Sequence, residues 1–501
     1  MSILVPGDTC WRLSHADRAA FLIDTQAYFA AVYAALAKAQ HSVILLGWGF
    51  DPRTRLKPDG HDGPDDPDEV GRILLALTRE RPHLDVRLLI WRSALAIAAS
   101  QDFFPYRAAG WFKDTPVKFR LDDALPFGAC HHQKVLVIDD AVAFCGGGDI
   151  SVDRWDTTAH RDVDPRRMMP DHECHAPRHE VVMMVDGEAA RSLGDLARER
   201  WKSACGEVIA PPPVADTDPW PGQVAASLSN VMVGIARTEP AQPNCPTVEE
   251  IRRLTQSSIV AARETIYLEN QYFTSPLIVE ALAGRLSEPE GPEVVLISTG
   301  DSPSWFDRLT MDRARSNMLQ RLRAADVHNR FRAFYPTTPK GAKIIVHAKS
   351  SVFDDKLARV GSANLNNRSG GFDTECELAV EGTSETARAA ITAFRDRSIG
   401  HFLGYAGETV AEARAEFGGL AAAVDKLNHR GRLFPIEPMA LSAAGEFIAG
   451  HHLGDPLSVA DSWRLGHRRE RLYAEARALG VRGLFKSRDW TAPFFLSRES
   501  N

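Results

Sequence analysis

A histidine and a lysine two positions apart, followed by an aspartate, occur twice in this chain: His132-Gln-Lys134 with Asp139, and His347-Ala-Lys349 with Asp354. Both read H-x-K-x-x-x-x-D. Seven residues after each aspartate a small-residue turn begins, Gly146-Gly-Gly-Asp149 and Gly361-Ser-Ala-Asn364, and further on stand two acidic segments, Glu180–Gly187 and Glu375–Gly382. Histidine titrates near neutrality and can act as nucleophile or proton carrier, while lysine supplies a fixed positive charge. A Gly/Ser turn adds backbone N–H groups and polar side chains. Two such sets facing each other present two histidines, two lysines and Asn364 to one anion, and a phosphodiester is the natural ligand. Lys134 and Lys349 would stabilise charge on the non-bridging oxygens. One histidine would attack phosphorus in line, forming a phosphohistidine. The other would protonate the leaving alcohol and then activate water or a second alcohol. Each imidazole needs an acceptor to orient it, and Glu180 and Glu375 suit that role. One such motif alone is weak; two with the same internal spacing are hard to attribute to chance.

The elements that must carry these groups follow the same duplication. The second motif lies 215 residues after the first, and the glutamates lie 195 apart, so the first half holds about twenty extra residues around Arg161–Arg178. Val43–Phe50 resembles Ile266–Phe273, each near the start of its half. Apolar runs at Val43–Gly47, Asp85–Trp91, Val135–Ile138, Glu293–Ser298 and Ser350–Phe353 predict buried strands. Residues two apart on a strand share a face, which puts each histidine beside its lysine. Asp17–Gln40 is expected to be an amphipathic helix. The fold class is α/β, with two homologous repeats, each a mixed sheet flanked by helices. The expected units are 1–215, 216–425 and a C-terminal appendage over 426–501 that matches neither half. Pro211–Pro213 with Asp216–Pro221 is Pro-rich with little pattern and is the expected linker between the halves. The appendage holds an Arg-rich helix candidate, Ser462–Leu479, and an apolar tail, Trp490–Leu496, with Phe494 and Phe495 read as packing.

Composition narrows the class. The chain has 501 residues and a formal net charge of −7, with 44% hydrophobic and 25% charged residues. Ordinary globular usage excludes a fibrous or wholly disordered chain. An acidic balance argues against sequence-blind nucleic-acid binding, so no nucleic-acid partner is expected. No apolar run is long enough to span a bilayer, and no secretory signal is apparent. Seven cysteines with no C-x-x-C pair predict reduced thiols and a cytoplasmic location, with any membrane contact peripheral.

With these residues in hand, the sequence resembles the phospholipase D superfamily in its two-repeat form. The resemblance rests on both H-x-K-x-x-x-x-D motifs and their GGGD and GSAN turns. It also rests on Arg154-Trp-Asp-Thr157 with His160, Asn366-Asn-Arg-Ser369 with Asp373-Thr-Glu375, and Glu269-Asn-Gln-Tyr-Phe273. It covers about 40–405 and is strongest toward phosphatidylcholine-type phospholipases. The resemblance implies a pseudo-twofold α-β-α-β-α bilobed monomer with one active site at the interface of its halves. It implies His132 as nucleophile, His347 as general acid and base, and acidic orienters acting across the interface, Glu375 on His132 and Glu180 on His347. The substrate would be a glycerophospholipid cleaved to phosphatidic acid at a peripheral membrane surface. A phospholipid synthase of cardiolipin or phosphatidylserine type is the alternative, a nuclease a weaker one, and a non-enzymatic scaffold weaker still.

Around this centre, Asn364, Ser362 and Asp149 are expected to bind the substrate phosphate, with Asn364 the firmest. Asp139 and Asp354 end short strands and are expected to be structural, as is His131. Trp155 is a candidate for a headgroup pocket through cation–π contact, ahead of Trp48, Tyr272 and Phe273. His172, Cys174, His175 and His179, with Glu173 nearby, invite a zinc reading, but the spacing fits no standard site and a polar loop is expected. No metal and no cofactor are expected, because two lysines already supply the charge.

Overall fold

The structure is a computed structural model and describes residues 2–60, 67–93, 104–242, 245–439, 443–452, 454–458, 461 and 470. Among these, sixteen strands join in one mixed sheet. At its centre Arg12–Ile23 runs antiparallel to Leu228–Glu239. Outward from Arg12–Ile23 come Val181–Asp186, Val142–Gly146, Val135–Ile138, Ser42–Gly47, Asp85–Trp91 and Lys118–Asp122. Outward from Leu228–Glu239 come Glu375–Glu381, Leu357–Gly361, Lys349–Phe353, Thr265–Asn270, Glu293–Ile297 and Phe331–Pro336, with Leu433–Pro435 beyond. The strand order on the two sides of the central pair is the same, and on both sides the two outermost pairings of these six are parallel.

Alternation along the strands divides the core. Ile44, Leu46, Val135 and Val137 face a core shared by both sides of the sheet, whereas Val43, Leu45, Leu136 and Ile138 face a second core. The shared core lies under two 19-residue helices, Gly187–Cys205 and Glu385–Leu403. Each ends on a glycine in the left-handed region, Gly206 and Gly404, a conformation that costs other residues a clash at Cβ. Phe21 of the central strand stacks on Phe394 at 4.1 Å. Thr25–Leu36 and Val70–Glu80 cover the second core. A third, under Glu250–Ala261, Pro276–Ser287 and Trp305–Ala325, covers the other end.

The predicted strands form nearly as read, but Asp17–Gln40 is not one helix. Its first seven residues belong to Arg12–Ile23, and the helix runs only over Thr25–Leu36. Ala19–Ile23 is buried on both faces of a central strand, and such a run lacks the alternation that marks a half-buried strand. Asp24, at φ 66°, breaks the chain between the two. The stretch Pro211–Pro213 carries no regular structure. Ser462–Leu479 and Trp490–Leu496 lie outside the described residues. No helix among the described residues is long and apolar enough to cross a membrane.

Asp139 and Asp354 do the same structural work in both halves. The Asp139 carboxylate accepts the backbone N–H groups of Gln40, His41 and Ser42 at 2.6–2.7 Å. Asp354 accepts those of Arg263, Glu264 and Thr265 at 2.8 Å. Each aspartate therefore ties its turn to the start of the strand next to the motif. Both have positive φ, 54° and 53°, which alanine tolerates poorly. Asp354→Ala orphans three donors and adds backbone strain, so a loss of about 2–4 kcal/mol is expected. Urea unfolding of the variant checks this, and an unchanged midpoint would refute the anchoring role.

Candidate active site

Each histidine reaches the site through a short cross-connection between the halves. His131 bridges Thr374, and the His132 N–H donates to the Thr374 carbonyl at 3.1 Å. In the matching place Ile345–Val346 pairs with Arg178–His179, and the His347 N–H donates to the His179 carbonyl at 2.9 Å. The glutamate after each partner residue is thereby set beside the other half's imidazole. Neither histidine lies within a strand. His132 and Lys134 precede Val135–Ile138, and His347 falls between two strands, with Lys349 opening the second. The i, i+2 expectation thus describes an extended approach to the strand.

Around His132 the geometry is closed. Its Nδ1 lies 3.0 and 2.9 Å from the two Glu375 carboxylate oxygens. Ser362 Oγ donates to Glu375 Oε2 at 2.5 Å and Ser369 Oγ to Oε1 at 2.6 Å. An Nδ1–H held this way leaves the lone pair on Nε2. Burial first, then Lys134 and Lys349, holds the His132 pKa well below that of free imidazole. Burial raises Glu375 to about 7 against the pull of its two serines.

Around His347 the geometry differs. Glu180 Oε1 lies 2.8 Å from Nδ1, yet the N–H does not point along that line, and neither carboxylate oxygen has a hydrogen bond. The cause is readable in the sequence. Gly147 and Arg154 stand at the positions of Ser362 and Ser369 relative to the motif. A Cβ on Gly147 would come within 2.8 Å of the His347 carbonyl and 3.0 Å of Glu180 Oε2, so no serine fits there. Buried Arg154 and Arg178 contribute positive charge instead and, after burial and Lys349, help hold His347 well below the ordinary imidazole pKa.

The two lysines are buried. Lys134 Nζ donates to the His132 carbonyl at 3.1 Å, and Lys349 Nζ donates to the His347 carbonyl at 2.6 Å and to Gln271 at 3.4 Å. Burial, outweighing Glu180, brings Lys349 down to about 7. Asn364 is buried with its side-chain Oδ1 unpartnered. The other two residues expected at the phosphate are engaged elsewhere. Ser362 is spent on Glu375. Asp149 accepts the Trp48 and Gly49 N–H groups at 3.0 and 3.1 Å and lies 3.5 Å from Lys134 Nζ, so it anchors a loop and a lysine, and its charge would repel an anion.

One further expectation is corrected. Trp155 packs inside the second core with the Arg166 guanidinium 4.7 Å over its ring, so that face is taken and no headgroup can stack on it. His172, Cys174 and His175 do not gather with His179. The first two are exposed, whereas His179 is buried beside Asp24, His160 and His401. His131 is structural as expected, fully buried 2.8 Å from Asp122, which Arg200 also grips.

Asp455 was not recognised from sequence. Its buried carboxylate accepts the Asn367 and Arg368 N–H groups and the Thr274 hydroxyl. It therefore fixes the loop that carries Ser369, two steps from His132. A lone aspartate in a segment without a repeat counterpart gives no sequence signal.

Two histidines, each with its own lysine and the other half's glutamate, can carry out covalent transfer at an anion. Residues 256–397 match the family model "Cardiolipin synthase, PLD-like domain". The chain is 23% identical over 483 residues to phospholipase D2 of Bos taurus, across 73% of this chain and 49% of that protein. It is 22% identical over 568 residues to phospholipase D alpha 1 of Nicotiana tabacum, across 86% of this chain and 69% of that one. It spans about half or less of the length of the first curated relatives it matches. The crystal structure of a phosphatidylserine synthase from Haemophilus influenzae Rd KW20 superposes with a TM-score of 0.51 at 12% identity, covering 94% of this chain and 96% of that one, and so has the same fold. These matches support a likeness to the phospholipase D superfamily.

Proposed function

We propose that this protein is a phospholipase D-type phosphodiesterase that hydrolyses the headgroup ester of a glycerophospholipid to phosphatidic acid, and passes the phosphatidyl group to alcohols when these compete with water. The observation that carries this reading is the crossed pairing, in which the glutamate of each half stands against the histidine of the other. The halves, 1–215 and 216–425, each supply one His/Lys set, so one chain completes the site. The relatives named above, phospholipases D and a phosphatidylserine synthase, support a phospholipid substrate.

His132 Nε2 attacks phosphorus, because its Nδ1–H is fixed by a carboxylate that two serines hold in turn. The P–O bond to the headgroup breaks, and a covalent phosphatidyl-histidine forms. Lys134, Lys349 and the Asn364 amide stabilise the charge on the non-bridging oxygens. His347 gives its proton to the departing alkoxide, then takes one from the incoming water or alcohol, which displaces His132. A phosphate between the lysines offsets the positive field that depresses His347, so substrate binding itself favours the acid form.

Vesicles of phosphatidylcholine with added ethanol test the proposal. Phosphatidic acid and phosphatidylethanol should both appear, in a ratio set by ethanol concentration. Absence of product from phosphatidylcholine, phosphatidylethanolamine and phosphatidylglycerol would overturn it. A pH profile follows from the same groups. His132 must be neutral, and it is held well below the ordinary imidazole value, so the acid limb of kcat/KM should lie well below pH 6.5. On the alkaline side His347, the acid, is held well below the ordinary imidazole value and Lys349, which must be charged to receive the phosphate, is brought down to about 7, so kcat/KM should fall as pH rises and be lost above that value. A flat profile up to pH 9 would contradict this assignment.

A further inference from the structure

We propose that Asp24, His160, His179 and His401 bind one divalent transition-metal ion, of the zinc class, at the junction of the two halves. The inference is independent of the proposed reaction. One ligand atom from each residue lies within 4.8 Å of every other. Three are buried and contributed by the first half; His401 comes from the helix Glu385–Leu403.

The hydrogen bonds behind these residues are those a metal centre requires. His160 Nδ1 lies 2.9 Å from Asp156 Oδ2, which leaves Nε2 turned toward Asp24. His179 Nε2 lies 3.2 Å from Glu269 Oε2, and its Nδ1 faces Asp24 Oδ1 at 2.8 Å. A histidine with one nitrogen on a carboxylate has its tautomer and ring plane fixed for a metal on the other. The supporting carboxylates are themselves held. The Arg178 N–H donates to Asp156, and Tyr267 and Ser350 hydroxyls donate to Glu269.

Metal-free packing leaves this cluster unsatisfied. Among the described residues, Asp24 Oδ2, His160 Nε2 and both nitrogens of His401 are buried without a hydrogen bond, the first two facing each other at 3.5 Å. Buried polar atoms of this kind are rare and call for a partner. A doubly protonated His179 between Asp24 and Glu269 would account for that residue, but not for the other three. An ion takes the place of the His179 Nδ1 proton, which leaves to solvent, and gives Asp24, His160 and one nitrogen of His401 a bond. Three imidazoles and one carboxylate suit zinc and its neighbours better than calcium or magnesium. Ligands around a tetrahedral ion sit roughly 3.4 Å apart at metal bonds of about 2.1 Å, so the cluster closes in by about 1 Å on loading. A pocket of about 300 Å³ reaches His401 past Ile23, Thr158, Arg397 and Tyr405 and gives the ion a route in.

The place of the site suggests its role. His179 precedes Glu180 and receives the His347 N–H, and the Glu180 N–H points at Asp24 Oδ1 at 3.3 Å. The ion would therefore fasten the backbone that carries Glu180, without touching substrate.

The test is metal analysis of the purified full chain, stripped with chelator and reloaded with zinc, and separately with cobalt. Wild type should hold about one ion per chain, give the visible absorption of tetrahedral cobalt, and melt at higher temperature with zinc than without. His160→Ala and His401→Ala should lose the cobalt spectrum and the thermal shift. His172→Ala with His175→Ala should keep both. Less than a tenth of an equivalent in wild type with no cobalt absorption, or unchanged binding in His160→Ala and His401→Ala, overturns the proposal. The wild-type measurement decides even where a variant fails to fold.

Discussion

Replacing His132 or His347 is expected to reduce phospholipid turnover by about 10³-fold or more in each case, because each removes a participant in every turnover. The two losses should differ in kind. A headgroup replaced by p-nitrophenol leaves without a proton. With such an ester, His347→Asn should still release a stoichiometric burst of p-nitrophenol, because His132 attack needs no acid there, and then stall before hydrolysis of the phosphatidyl-histidine. His132→Asn should give no burst. The burst shows that His347→Asn is folded and competent for the first step, which a misfolded protein would not be. Activity near wild type in either variant with natural lipid would end the two-histidine account.

The second large effect is expected at Glu375. Its carboxylate holds the His132 Nδ1–H, and Ser362 and Ser369 hold the carboxylate. In Glu375→Gln an amide can turn its NH2 toward Nδ1 and move the imidazole proton to Nε2, the attacking nitrogen. A fall of about 10²-fold or more in kcat is expected, with KM little changed. Glu180→Gln should cost less, about tenfold, because Glu180 makes no aligned hydrogen bond to His347 and its charge is shared with Lys349, Arg154 and Arg178. Single-turnover rates measure the difference. Equal losses in the two variants would mean that the asymmetry of the structure does not carry into the reaction.

The residues of this centre were legible because the chain writes them twice. A histidine and lysine at fixed spacing, repeated 215 residues on with a turn and a glutamate at matching distances, point to chemistry without any structure. What the repeat could not convey is where the halves differ. Gly147 and Arg154 in place of Ser362 and Ser369 look like sequence drift until the Cβ clash at Gly147 and the bare Glu180 carboxylate are seen together. Ser362 and Asp149 have the right chemistry for a phosphate site, but local hydrogen bonds claim them first. Trp155 has a suitable ring, but Arg166 covers it. Strands were legible from their apolar runs. The central strand was misread because burial on both faces removes the alternation that announces a strand. Asp24, His160, His179 and His401 are 136, 19 and 222 residues apart along the chain, and no spacing rule joins them; only the packing of the helix Glu385–Leu403 against the central strand brings them together.

The central claim is that His132 becomes covalently bonded to phosphorus. Rapid acid-free quenching of His347→Asn with a p-nitrophenyl phospholipid, followed by proteolysis and mass spectrometry, measures it directly. The account predicts a phosphatidyl adduct on the peptide containing His132, absent in His132→Asn. An adduct on another residue, or its absence while p-nitrophenol is released in a burst, would contradict it.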